Sequence, residues 1–241
     1  MRRIHGWMRF LVLLTALLAL LFAGWAFLRQ RPQDLPWTEL DLAQPMGLFT
    51  GRKLAALTRK PDRCRALLDK AGIAYRPMPP GGKDHCAFND SVMLKPDREA
   101  VALSPASVAP SCPVAAAIRL WEWHVVQPQA RRLLGRTVRT VTHFGSYSCR
   151  RLYGRDVGDF SEHATADAID ISGFVLDDGR RISVLNDWEG DGKDAAFLRA
   201  VRDGACGLFS TVLSPDYNAA HRDHLHLDQA ERGAAGWRAC R

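Results

Sequence analysis

The sequence predicts an α+β domain, with helices packed on a small and mainly antiparallel sheet, behind one N-terminal transmembrane helix. Three observations support this prediction. An uncharged apolar run of 19 residues lies near the N-terminus, helical patterns dominate up to Gly135, and alternating strand-like patterns dominate from Val138 onward. The 241 residues are 47% apolar and 24% charged, which is typical of a globular protein and excludes wholesale disorder and a multi-pass membrane protein.

The apolar run occupies residues 10–28, and at about 1.5 Å per residue a helix of this length crosses the hydrocarbon core of a bilayer. Arg2, Arg3 and Arg9 precede it, so the positive-inside tendency predicts a cytoplasmic N-terminus and an exported remainder. A cleaved signal peptide shares the charged start and the apolar run, but this run is long for a signal core and lacks a clear A-x-A site. We therefore expect residues 1–31 to form a cytoplasmic stub and an uncleaved transmembrane signal anchor.

The basic charge belongs mostly to this N-terminal segment. The formal net charge is +7, but five arginines fall in the first 31 residues, which contain no acidic residue. Subtracting these five from the 33 basic residues leaves 28 against 26 acidic residues in the remaining chain. Such a domain lacks the strongly basic face that nucleic acids bind, so we expect no nucleic-acid partner.

Prolines and glycines divide the exported part into segments. Several prolines interrupt residues 32–46, which predicts an extended tether ahead of a domain at 47–241. Proline in the first turn and glycine after the last predict a helix over 61–72, and a longer helix over 113–134 is expected to be kinked or split by Pro128. The remaining predicted elements are strands at 138–142, 168–175, 181–185 and 224–228, a hairpin turn at 177–179 and a helix at 193–202.

The six cysteines are an even set in an exported chain, and none forms a C-x-x-C pair. Three disulfides are therefore predicted rather than a thiolate zinc cluster. Proximity in sequence favours Cys64 with Cys86. The remaining pairs are guesses: Cys112 with Cys149 and Cys206 with Cys240.

Histidines and carboxylates concentrate in two segments that could build a metal site. On the predicted last strand, His224 and His226 project to one face because strand residues two apart share a face. His163 precedes another predicted strand, and Asp170 lies within it. For any single histidine an exposed strand or loop position is the commoner case, but together these residues supply the N/O ligands of a catalytic zinc site with an open fourth position.

These residues also carry a family resemblance. The segments S-E-H-x-x-x-x-A-I-D at 161–170 and H-x-x-H-x-H at 221–226 resemble the LAS group of zinc peptidases, which includes lysostaphin-type endopeptidases, D-Ala-D-Ala carboxypeptidases and murein endopeptidases. From roughly Pro36 to the C-terminus, the chain resembles more closely the bacterial extensin-like C-terminal domain family. The motifs of that closer resemblance are L-S-P-A at 103–106, G-S-Y-S-C-R at 145–150, S-E-H-A at 161–164 and P-D-Y-N-A-A-H at 215–221.

The resemblance implies a sheet of LAS-peptidase type that binds Zn²⁺. The implied zinc ligands are His163, Asp170 and His226. His224 would face the zinc-bound water as general base, and His221 matches an additional active-site histidine of the murein endopeptidases. Asp223 is a rival base, although regular strand alternation would point it away from His224, and Asp228 could orient an imidazole.

Two departures affect how far the resemblance carries over. Ala166 stands where the peptidases usually have a glycine, three residues after the first ligand. Arg150 follows Tyr147 by three positions, whereas the carboxypeptidases place an arginine directly after the tyrosine.

Together these observations predict a zinc-dependent peptidoglycan peptidase that cuts a peptide bond of the murein stem or cross-link. The resemblance and the anchor imply a bacterial inner-membrane protein, held through residues 10–28, with a periplasmic C-terminal domain and peptidoglycan peptides as partners. The alternative is a non-catalytic wall-binding or interaction module that keeps the zinc fold, as the hedgehog signalling domain does. The sequence leaves the oligomeric state open.

Overall fold

A computed structural model of the protein describes residues 2–96, 100–233 and 238–241. The chain begins with helix α1 (Arg2–Gln30). Within it, residues 6–30 form a candidate span whose most apolar window has a mean hydropathy of 2.5 and contains no buried residue. By length and composition this helix could cross a membrane, as the sequence predicts.

The segment after α1 differs from the extended tether expected at 32–46. Pro32–Asp34 form a 3₁₀ turn, in which Gln33 is buried. Leu40 and Leu42 are also buried and belong to the hydrophobic core. The prolines indicate a lack of regular structure, but whether an irregular segment packs depends on tertiary contacts with residues far along the chain.

The described residues of the domain contain several helices. After α1 they are α2 (Thr50–Ala55), α3 (Pro61–Lys70), α4 (Cys112–Trp121), α5 (Gln127–Leu134), α6 (Val184–Asp187) and α7 (Lys193–Ala205). Every residue of α4 is buried, which makes it the central helix of the core. Trp121 connects α4 to two other parts of the core. Its ring centroid lies 5.9 Å from that of Phe174, and its Nε1 donates to the Val201 carbonyl at 2.8 Å.

A π-helical segment, Glu122–Val126, connects α4 to α5 and contains no break in the helix. The Gln127 amide donates to the Glu122 carbonyl, one residue further back than in an α-helix. Pro128 has no amide hydrogen to donate, and the wider turn before it accommodates the proline, since π-turns commonly insert a residue without ending a helix. Gly135 ends α5 in the left-handed conformation, at φ 66°.

Among the described residues the main sheet has seven strands, mostly paired antiparallel. They are β3 (Ala102–Ser104), β4 (Val138–Gly145), β5 (Ala168–Leu176), β6 (Arg181–Ser183), β7 (Thr211–Leu213), β8 (Leu225–Asp228) and β9 (Ala239–Cys240), while β1 (Tyr75–Pro77) and β2 (Val92–Leu94) form a separate hairpin. The order is β3-β4-β5-β8-β7-β9, with β6 also paired to β5. The pairs β3 with β4 and β7 with β9 are parallel. A mixed helix-and-sheet domain is thus confirmed, and β5 is its central strand.

Several predicted boundaries shift. The strand predicted at 181–185 ends at Ser183, and α6 follows directly. The Ser183 amide donates to the Asp187 carboxylate at 2.7 Å, and this hydrogen bond stabilises the first turn of that helix. The strand predicted at 224–228 begins only at Leu225. The turn at 177–179 is confirmed, with Gly179 at a φ of 84°.

The structure contains three disulfides, but two of the expected pairings are wrong. Cys206 pairs with Cys240, as guessed. Cys64 pairs with Cys112 instead of Cys86, and Cys86 pairs with Cys149. Cys64 lies on α3 and Cys112 opens α4, and these helices pack together, so spatial proximity overrides proximity in sequence.

Candidate metal centre

The centre of the site is formed where β5 and β8 run side by side. Asp170 of β5 and His226 of β8 are directly paired across the two antiparallel strands. Their neighbours Ile169, Ile171 and Leu225 are fully buried on the opposite face. Strand alternation therefore places one carboxylate and one imidazole on the same face, at adjacent positions.

His163 reaches the same point from a 3₁₀ turn, Glu162–Thr165, just before β5. The Ser161 hydroxyl caps this turn by accepting from the His163 amide at 3.3 Å. The turn ends at Ala166, whose φ of 61° lies in the left-handed region that favours glycine. An alanine therefore occupies a backbone conformation that glycine would adopt with less strain.

Three ligand-type atoms converge in an almost equilateral triangle. His163 Nε2 lies 3.1 Å from both Asp170 Oδ1 and His226 Nδ1, and the latter two atoms are 3.0 Å apart. In a tetrahedral zinc site with bonds of about 2.0–2.1 Å, two ligand atoms are separated by roughly 3.3 Å. The triangle therefore has nearly the dimensions of one face of a zinc tetrahedron.

Hydrogen bonds on the outer side of the two imidazoles fix which nitrogens carry protons. His163 Nδ1 faces the Ser146 carbonyl at 2.6 Å, and a carbonyl only accepts, so this nitrogen donates. His226 Nε2 faces the Asp228 carboxylate at 3.1 Å and likewise donates. In the neutral rings, His163 Nε2 and His226 Nδ1 then both point lone pairs at Asp170. Three lone pairs facing one another repel, and a shared cation relieves this repulsion.

The electrostatics of the cluster agree with a site for positive charge. Burial would raise the pKa of Asp170, but hydrogen bonds and charge from His163 and His226 hold it well below its usual range. Burial would lower the pKa of His226, but its bonds to Asp170 and Asp228 raise it to about 9. Without a metal, a proton on His226 supplies the positive charge that the two carboxylates require.

His224 lies at the edge of the cluster rather than within it. Its Nε2 is 3.5 Å from Asp170 Oδ1, and its Nδ1 donates to Asp223 at 2.8 Å. The expectation that Asp223 points away from His224 is wrong, because residues 223 and 224 precede β8 and strand alternation does not apply to them. Asp223 therefore orients His224 so that the Nε2 lone pair faces the cluster. Asp223 nevertheless lines a different pocket, beside Phe144 and Leu185.

His221 lies beside His224 and His226. Its ring centroid is 5.2 Å from that of His224 and 6.0 Å from that of His226. Its Nδ1 donates to the Asn218 side-chain oxygen at 2.8 Å, while that oxygen also accepts from the Ala220 amide. Burial, together with the charge of the neighbouring histidines, lowers the pKa of His221 to about 4, so its ring is neutral at neutral pH.

The cluster opens onto a cleft of about 1210 Å³. Tyr153 and Tyr217 line one part of it, and Arg150 extends an exposed guanidinium into the same space. Sequence reasoning missed the Ser146 carbonyl and the Asn218 amide. The Ser146 carbonyl leaves no signal in a side-chain pattern, whereas Asn218 lies three residues before His221, a spacing that indicates a capped turn.

The fold and the cluster together define a class of protein: a mixed helix-and-sheet domain with a buried His-Asp-His set suited to a divalent cation. The chain belongs to the extensin-like family, since the family model described as "Extensin-like protein C-terminus" matches residues 62–241. Searches of curated proteins and of solved structures gave no match to this chain.

Proposed function

We propose that this protein is a membrane-anchored, zinc-dependent hydrolase that cuts a peptide bond in the stem or cross-link of peptidoglycan on the periplasmic side. The observation that carries this proposal is the convergence of one ligand atom each from His163, Asp170 and His226. The resemblance of the histidine and aspartate motifs to those of the LAS peptidases supports the reaction class and the substrate. Helix α1 supports the anchor, because it is long and apolar enough to span a bilayer.

The donor set fits zinc better than the harder divalent cations. Two imidazole nitrogens and one carboxylate oxygen are common zinc ligands, whereas magnesium and calcium prefer oxygen ligands throughout. All six cysteines are in disulfides, so no thiolate competes for the metal. When bound by His163, Asp170 and His226, zinc would act as a Lewis acid and lower the pKa of a coordinated water.

The proton transfers belong to His224 in this proposal. Asp223 holds its Nδ1 proton, which leaves Nε2 free to accept a proton from water attacking a substrate carbonyl. The same ring can then donate that proton to the leaving amine. His221 stays neutral at neutral pH and, held by Asn218, offers a hydrogen-bonding ring to the substrate or to His224.

The experiment uses the full chain in detergent, loaded with zinc and incubated with purified sacculi. Mass spectrometry of the released muropeptides should show a cleaved peptide bond. His224→Ala should keep about one zinc per chain but reduce the cleavage rate by roughly 10²–10⁴-fold. His124→Ala is the matched control, because His124 is exposed on the π-helical segment, outside the cleft, and should leave cleavage unchanged.

The same experiment separates turnover from simple wall binding. Zinc-loaded protein that binds sacculi without releasing any cleaved muropeptide would contradict the hydrolase and favour a binding module. A His224→Ala variant as active as the wild type would contradict the role of this imidazole.

A further inference from the structure

Helix α1 is joined to the domain by a junction that leaves no room for a flexible tether. Only Arg31 separates the end of α1 from the 3₁₀ turn at Pro32–Asp34. The Gln33 carbonyl accepts from the Phe49 amide at 3.0 Å, and the Pro32 carbonyl accepts from Lys53 Nζ at 3.0 Å. The first turn after the helix is therefore already hydrogen-bonded to the body of the domain.

Close backbone packing tightens this junction. A Cβ atom on Gly47 would lie 2.5 Å from both Asp34 Oδ1 and the Gln33 carbonyl carbon, so only glycine fits there. The next residue, Leu48, donates its amide to Asp34 Oδ1 at 2.8 Å. Thr38 is bound as well, because its hydroxyl contacts the Pro32 carbonyl and accepts from Lys53 Nζ at 2.8 Å. Residues 32–38 and 47–53 thus form one hydrogen-bonded unit, which we call the junction.

Two large apolar side chains project from the junction into solvent. Trp37 is 77% exposed and Leu48 is 81% exposed. Among the described residues that follow α1, only Val157 is comparably exposed for a large apolar side chain. Trp37 follows the end of α1 by seven residues, and the Leu48 amide is hydrogen-bonded to Asp34 in the turn after that helix. Residues 10–28 of α1 carry no charge. Tryptophan and leucine at such a position favour the boundary between lipid headgroups and acyl chains.

We propose that Trp37 and Leu48 insert into the headgroup region of the bilayer and hold the domain against the membrane surface. The occupant around these two side chains is lipid, because the junction that carries them begins only one residue beyond the end of the apolar helix α1. The proposal rests on α1 spanning a bilayer, as in the proposed function, but it does not depend on hydrolysis. An anchor at these positions would keep the domain, and with it the metal centre, close to the membrane surface.

Site-directed spin labelling of the full chain tests this proposal. All six native cysteines are in disulfides, so Trp37→Cys or Leu48→Cys introduces the single reactive thiol. Leu185→Cys is the matched control, because Leu185 is an exposed leucine at 55% that lies on α6, outside the junction. Each labelled protein is placed in nanodiscs of phosphatidylethanolamine and phosphatidylglycerol. The collision rates of the label with oxygen and with the polar reagent Ni(II)EDDA are then compared.

Labels at positions 37 and 48 should show an oxygen-to-nickel collision ratio several-fold higher than the label at position 185. Ratios equal to that of the control would overturn the proposal, because both side chains would then lie in water. Exclusion of both reagents together with spin–spin broadening would also overturn it, since a second copy of the chain would then cover the surface. Unchanged circular dichroism for the three variants verifies that each is folded. The collision ratios test membrane insertion whether or not the protein hydrolyses peptidoglycan.

Discussion

Asp228 gives a sharp test of how the site is assembled, because it contacts His226 but not the predicted metal. Its side chain is almost fully buried, with Oδ2 accepting from His226 Nε2 at 3.1 Å and Oδ1 accepting from the Ala230 amide at 3.0 Å. Asp228→Asn has the same shape and retains an oxygen for the Ala230 amide. The new amide group, however, presents a donor to His226 Nε2. Two donors then face each other, and the favoured tautomer of His226 moves its proton to Nδ1.

That change removes the lone pair directed at the centre of the cluster. Losing such an outer hydrogen bond typically weakens metal affinity by about 10–100-fold. The expected loss is therefore about 1.4–2.7 kcal/mol of zinc-binding free energy. Competition titration against a chromophoric chelator at fixed pH measures this difference directly.

Asp216→Asn provides the matched control for this measurement. Asp216 lines the same cleft and loses the same charge on substitution, but it binds Trp188 and Arg202 rather than a cluster histidine. Zinc affinity should stay within about twofold of the wild type in this control. If Asp228→Asn binds zinc as tightly as the control does, the tautomer argument is refuted.

Three further predictions concern protons, packing and crosslinks. The pKa of His226 is raised to about 9 in the metal-free chain, so zinc must displace a proton from this ring. The apparent zinc affinity should therefore rise with pH up to about 9 and level off above it. Calorimetry in buffers of different ionisation enthalpy should detect about one proton released per zinc near neutral pH. Gly204→Ala would overlap Val125 and should lower the free energy of unfolding by about 1–3 kcal/mol, whereas Gly192→Ala, which meets open space, should change it little in chemical denaturation. Removing the Cys64–Cys112 bridge by serine substitution of both residues should cost about 4 kcal/mol, because the bridge closes a loop with a sequence separation of 48; an unchanged denaturation midpoint would contradict this value.

The sequence identifies the side chains that the structure brings together, because the relevant patterns are local. Asp170 and the residue pair His226 and Asp228 lie on strands of four or more residues, where alternation fixes which side chains share a face. The strand pairing that brings Asp170 opposite His226 is not local, and the sequence only suggests it through the chemistry that the two residues share. The position of His163 likewise depends on a short turn that ends with Ala166 in the left-handed conformation. An alanine in the sequence does not indicate this conformation.

Features set by tertiary packing were beyond sequence reasoning. Strands β1, β2, β3, β7 and β9 have two or three residues each, too few to show a period. Two disulfide pairings were wrong because the packing of α3 on α4 decides which cysteines meet. The orientation of Asp223 was wrong for a related reason, since the strand begins two residues later than Asp223.

Zinc K-edge X-ray absorption on the full chain tests the central claim most directly. After equilibration with zinc and removal of the excess, the protein should hold about one zinc with a nitrogen and oxygen shell near 2.0–2.1 Å, and with the multiple scattering that two imidazoles produce. His226→Ala should lose that metal. A protein that retains no zinc, or whose absorption spectrum is unchanged in His226→Ala, would contradict the account.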